Sequence, residues 1–85
     1  MENTFHKAFV DVLVSHTREG NKVPQALTFE DGKTYFIDRV VAVQRRAATK
    51  VGGTGIRYTI RIGNNDTYLF EDDDRWFVEA KNLHD

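Results

Sequence analysis

The sequence predicts an all-β fold: about six antiparallel strands in a meander that closes into a small barrel-like or strongly curled sheet. Three observations carry this. Apolar residues recur at every second position, the period of a half-buried strand. Clusters of Gly, Asn and Asp interrupt the alternating runs at short intervals, as hairpin turns do. The chain has 85 residues, 40% of them apolar and ten of them aromatic, which supports one small core and not two. A single domain over residues 1–85 follows, with 1–7 and 81–85 expected to fray.

The first strand is expected from about Ala8 to His16, where Val10, Val12 and Val14 alternate with Asp11, Leu13 and Ser15. Its β-branched content disfavours a helix. Residues Thr17 to Pro24 hold Gly20, Asn21 and the sole proline, and read as a loop in which Pro24 cannot donate to a ladder. The second strand covers Gln25 to Glu30, with Leu27 and Phe29 on one face. Asp31-Gly32 then matches a two-residue hairpin turn with positive φ at both positions.

The third strand starts near Lys33 and sets Tyr35 and Ile37 on one face, but Val40, Val41 and Val43 break that parity. A β-bulge near Asp38 to Val40, or a sharp bend, restores the register. Gln44 to Val51 fits either a strand end or a helical turn, and Gly52 to Gly55 a loop. The fourth strand, Ile56 to Ile62, is the clearest: Ile56, Tyr58, Ile60 and Ile62 alternate with Arg57, Thr59 and Arg61. Gly63 to Asp66 forms a turn, and a fifth strand (Thr67 to Glu71) and a sixth (Arg75 to Ala80) flank the acidic turn Asp72 to Asp74. An open sheet of six short strands would leave one face wet, so closure is favoured.

On this reading Tyr35, Ile37, Tyr68, Phe70, Trp76 and Val78 share the inner face, and Phe36, Leu69, Phe77 and Leu13 point outward. Large outward apolar groups need a cover. Phe36, Leu69 and Phe77 are therefore the expected protein interface.

Charge is uneven along the chain. The balance of Lys and Arg against Asp and Glu is −2 over residues 1–32, +6 over 33–61 and −5 over 62–85. Within the basic segment Arg45, Arg46, Lys50, Arg57 and Arg61 form a candidate contact for anions or single-stranded nucleic acid, which small β barrels hold with basic grooves and aromatic platforms. The acidic segment from Glu71 to Asp74 could neutralise these arginines across the strands, and a pI of about 6.3 weighs against a nucleic-acid binder.

Several function classes are excluded or disfavoured. With no cysteine there is no disulfide, thiol nucleophile or cysteine-bound metal. No apolar run approaches the roughly 20 residues of a membrane helix, and the N-terminus lacks a secretion signal, so a cytoplasmic protein is expected. Ser15 is the one serine, and His6, His16 and His84 lack a metal-ligand spacing, so neither catalysis nor a cofactor nor a metal is expected. Lys50 before Gly52-Gly53-Thr54-Gly55 invites comparison with a phosphate loop, but a strand follows where such a loop needs a helix, and a hairpin connection is expected. Glu71 to Asp74 lacks the spaced ligands and glycine of a calcium loop and reads as a solvated turn.

The run from Gly32 to Val41 (GKTYFIDRVV), the run Gly55 to Gly63 (GIRYTIRIG), and Tyr68-Leu69-Phe70 ahead of Arg75-Trp76-Phe77-Val78-Glu79 together resemble a group of small uncharacterised bacterial proteins, mostly of Gram-positive organisms, over nearly the whole chain. The resemblance implies a bacterial cytosolic β domain and carries over no catalytic residue. The expected function is a non-enzymatic interaction module that self-associates. The alternative is a β module that binds single-stranded nucleic acid or phosphate through residues 45–61.

Overall fold

The structure, a computed structural model, describes residues 4–45 and 55–82. Arg46, Lys50 and the loop from Gly52 to Thr54 lie outside the described residues. Seven strands form one antiparallel sheet: β1 (Phe5–His16), β2 (Lys22–Thr28), β3 (Thr34–Phe36), β4 (Arg39–Arg45), β5 (Ile56–Ile62), β6 (Asn65–Asp72) and β7 (Arg75–Lys81). Their order is β3-β2-β1-β7-β6-β5-β4. The sheet curls into a half-barrel, and among the described residues there is no helix.

The seventh strand arises where the expected third one breaks. Ile37 and Asp38 join β3 to β4, which lie at opposite ends of the strand order, so this two-residue bend ties the two edges of the curl together. The Ile37 N–H donates to the Gln25 carbonyl on the β2 side, and the Asp38 N–H to the Arg61 carbonyl on the β5 side. The Asp38 carboxylate also accepts the Gly63 N–H at 2.7 Å, anchoring the bend on the β5–β6 turn. A register shift between Val40 and Ala42 follows. Bend and bulge therefore both occur, and Val40 and Val43 reach the inner side despite their odd spacing.

β1 is the long strand because it serves two neighbours. Phe5 to Val10 pair with β7, and Asp11 to His16 pair with β2. Phe5 to Lys7 and Lys81, expected to fray, are paired instead: Phe5 opposes Lys81, and the Asn82 N–H donates to the Thr4 carbonyl. β2 likewise starts at Lys22 rather than Gln25. Pro24 sits inside it, fully buried, opposite a register shift between Leu13 and Val14 that accommodates a residue with no N–H.

Turn chemistry sets the register. The β2–β3 loop is a three-residue Glu30-Asp31-Gly32 connection: the Gly32 N–H donates to the Phe29 carbonyl, the Phe29 N–H to the Lys33 carbonyl, and Gly32 alone has positive φ, at 87°. That is a type I turn closed by a glycine bulge, not the expected two-residue turn. The β1–β2 loop repeats it with Gly20 at φ 90°. The two-residue turn with both positions left-handed is instead Asp73-Asp74, at φ 50° and 63°, a conformation that aspartate tolerates better than most residues.

The core lies inside the curl. Val10, Leu27, Ile37, Tyr58, Ile60 and Leu69 are buried there, with Val12, Val40, Ile56, Trp76 and Val78 packed against them. A second, smaller cluster of Phe70 and Phe77 lies on the opposite side of the sheet.

Candidate functional site

Two of the three expected interface residues are not available to a partner. Leu69 is fully buried in the main core, and Phe77 is 2% exposed. The cause is the turn. With Asp73-Asp74 as its only two residues, Phe70 opposes Phe77 and shares its outer face, so Leu69 falls inward beside Tyr58. A one-residue change in a hairpin loop exchanges every side chain of the strand between faces. Tyr68 and Phe70 consequently leave the inner face expected for them. Trp76 and Val78 do pack on the core, and Phe77 does point outward.

Phe77 is covered by its own chain. Across four ladders Phe9, Phe77, Phe70, Arg57 and Gln44 stand directly opposite one another in one row. Phe77 stacks on Phe70 at 5.2 Å and meets Phe9 edge-on at 5.9 Å. Cations close the row from above: Lys7 over Phe77 at 4.9 Å, Arg75 over Phe9 at 3.8 Å and Arg57 over Tyr68 at 4.2 Å. Each charged head lies over a ring face, and the aliphatic stems cover apolar surface.

Phe36, the third expected residue, is 75% exposed. It opposes Ala26, which is buried and in turn opposes Leu13, itself 67% exposed, so two large apolar side chains stand in solvent on either side of a covered alanine. A shallow depression of about 360 Å³ runs along this face, bordered by Val12, Asp11 and the Thr28–Thr34 hydroxyl pair.

The basic set is dispersed. Arg61 is paired with Asp66, Nε to Oδ1 at 2.8 Å, and the bond holds the Asp66 carboxyl below its ordinary pKa. Arg57 donates to the Gln44 side chain at 2.8 Å and lies over the Tyr68 ring, its Nε buried without a partner. Arg45 is exposed at the end of β4. The acidic turn does not cover the arginine row. Glu71 faces inward, and Asp74 reaches Lys22 instead, at 3.4 Å.

Sequence reasoning missed the inward polar group. Glu71 is 6% exposed, and Lys22 donates to its Oε2 at 2.5 Å while the Tyr58 hydroxyl donates to its Oε1 at 3.3 Å. The hydrogen bond to Glu71 raises the Lys22 pKa. Burial, reinforced by the Glu71 charge, raises that of Tyr58. These three residues end a cleft of about 460 Å³ whose walls include Val23, Val40, Val43 and Ile56. The signal was present in parity: once Leu69 faces inward, Glu71 must as well.

The raised Tyr58 value has a sign that can be measured. A proton held more tightly in the folded state contributes stability in full below the ordinary tyrosine value of about 10. That contribution is lost as the pH rises through the raised folded value. In an absorbance titration the Tyr58 hydroxyl is expected to ionise above that ordinary value, and Tyr58→Phe should remove this late step and make stability fall less steeply as the pH rises. Loss of a different step in the variant would contradict the assignment.

Among the described residues no cluster of three or more His, Asp or Glu is placed to hold a metal ion, and no helix is long and apolar enough to cross a membrane. His6 is engaged with the Asn82 side chain. No protein-family model matches the chain, nor does any curated protein or solved structure.

Proposed function

We propose that this chain is a non-enzymatic interaction module of the bacterial cytosol that self-associates through the outer face of β1, β2 and β3. The observation that carries the reading is the exposure of Leu13 and Phe36 on either side of the buried Ala26. Water contact with two large apolar side chains on one face is costly, at about 25 cal/mol per Å² of surface that could be buried, and such a patch usually marks a contact surface. Its surroundings favour a second copy as the partner. Thr28 and Thr34 are neutral and Asp11 is the one charge lining the depression, so an isologous pairing across a two-fold axis brings few like charges together. In that arrangement Phe36 of each copy fills the depression of the other.

The nucleic-acid alternative has less support, because Arg57 and Arg61 are each already engaged within the fold. Sedimentation separates the readings. A dimer is expected at high micromolar concentration, and Phe36→Ser should return it to monomer with an unfolding midpoint within about 0.5 kcal/mol of the parent, the range of surface substitutions. A parent chain that is monomeric at that concentration sinks the proposal. Retention on a single-stranded oligonucleotide that falls steeply with salt would replace it.

A further inference from the structure

We propose that the open edge of β4 accepts an extended, acid-bearing peptide segment as an added antiparallel strand. This surface is separate from the Phe36 face and its occupancy does not require self-association. Among the described residues β4 pairs on one side only, with β5, although it is seven residues long and lies at the end of the strand order. An edge of this kind offers a row of backbone donors and acceptors to another chain. The bulge at Val41 interrupts the regular ladder, so pairing is confined to Ala42–Arg45.

Side chains set the specificity. Val43 is 54% exposed and lines the cleft together with Val40, Ile56 and Tyr58. A residue of the added strand opposite Val43 points to the same face and enters that cleft, which calls for an apolar side chain there. Arg45, exposed and two positions on, calls for a carboxylate opposite it. Arg39 stands beyond the bulge, opposite Arg61, and takes no part in this row, and β4 itself contains no acidic residue.

The same charge argues against a second copy as occupant. Pairing of Ala42–Arg45 with the same segment of a second copy would set no carboxylate against Arg45, because β4 carries none. Lys22 is not free to bind a peptide carboxylate, since Glu71 and Asp74 both hold it. The attraction for a carboxylate therefore comes from Arg45.

The test uses the full chain carrying Phe36→Ser, so that failure of the dimer and failure of this proposal are read separately. The probe is a blocked hexapeptide of alternating Thr and Val that ends in two glutamates, compared with the same peptide ending in two lysines. The expected result is amide shifts in Ala42–Arg45 and Tyr58 with the glutamate peptide, weakened by salt, and binding about tenfold weaker for the lysine peptide, a difference of about 1.4 kcal/mol. Arg45→Glu should reverse that preference, and Val43→Lys should abolish binding of both while leaving the amide spectrum folded. Equal affinity for the two peptides, shifts confined to the β1–β3 face, or no shift at all overturns the proposal. A single-stranded oligonucleotide that shifts the same amides when neither peptide does would also overturn it, in favour of a polyanion site.

Discussion

Gly55→Ala is expected to destabilise the domain by about 2–6 kcal/mol, combining backbone strain of about 1–3 with overpacking of about 1–3. Gly55 precedes β5 with φ at 145°, a backbone conformation that L side chains rarely adopt. A Cβ at this position would lie 2.1 Å from the Glu71 carbonyl oxygen and 3.1 Å from its carbon. The obstacle is backbone in β6, so no side-chain rotation relieves it. The adjoining ladder has to move, and with it the buried Glu71 carboxylate on which Lys22 and Tyr58 converge. Total stability for a domain of this length is roughly 4–13 kcal/mol, at 0.05–0.15 per residue. The loss therefore consumes a large part of it. Thermal unfolding checks the prediction against Gly32→Ala, where φ is 87° but nothing lies within 4 Å. That variant should lose only the strain, about 1–3 kcal/mol. Equal midpoints for the two variants would show that close approach to β6 has no part in the need for glycine.

Phe77→Ala is the second large effect, at about 3–5 kcal/mol for truncation of a buried aromatic ring. It removes the ring that stacks on Phe70, receives the edge of Phe9 and lies beneath Lys7. Because the outer cluster is only one side chain deep, the cavity opens toward solvent and the neighbouring rings lose their contact with one another. An interface residue would behave differently: its removal would leave the isolated chain stable and change only its association. Denaturant unfolding at a concentration where the parent is monomeric separates these cases. Phe36→Ala serves as the contrast, with an expected change within about 0.5 kcal/mol. A Phe77→Ala midpoint that matches the parent's would return Phe77 to the list of contact residues.

Much of the architecture was legible because it depends on local periodicity. Alternation in Ile56 to Ile62 and in Val10 to Val14 reports a half-buried extended strand whatever its neighbours are, and both strands form where that pattern lies. The broken parity after Ile37 likewise announced a bend or bulge. Among the candidate residues, Phe36 stands exposed as its position implied, and Phe77 faces outward. The error at Leu69 came from one residue: a three-residue acidic turn and a two-residue one have nearly the same composition, yet they place Leu69 on opposite faces of β6. Glu71 was misplaced with it. It was read as solvated beside Asp72 to Asp74, and it lies buried with Lys22, 49 positions earlier in the chain.

What the amino-acid order determined by itself was the class of fold, the strands and the outward direction of Phe36 and Phe77, because each follows from the two-residue repeat of an extended chain. Tertiary structure alone decided which outward residues are covered and which are free. Phe9 and Lys7 reach Phe77 only because the first strand pairs with the last, and β4 has an open side only because the bend at Ile37 and Asp38 sends the chain to the far edge of the sheet. Pairings between residues distant in sequence set exposure, and alternation along a single strand carries no record of them.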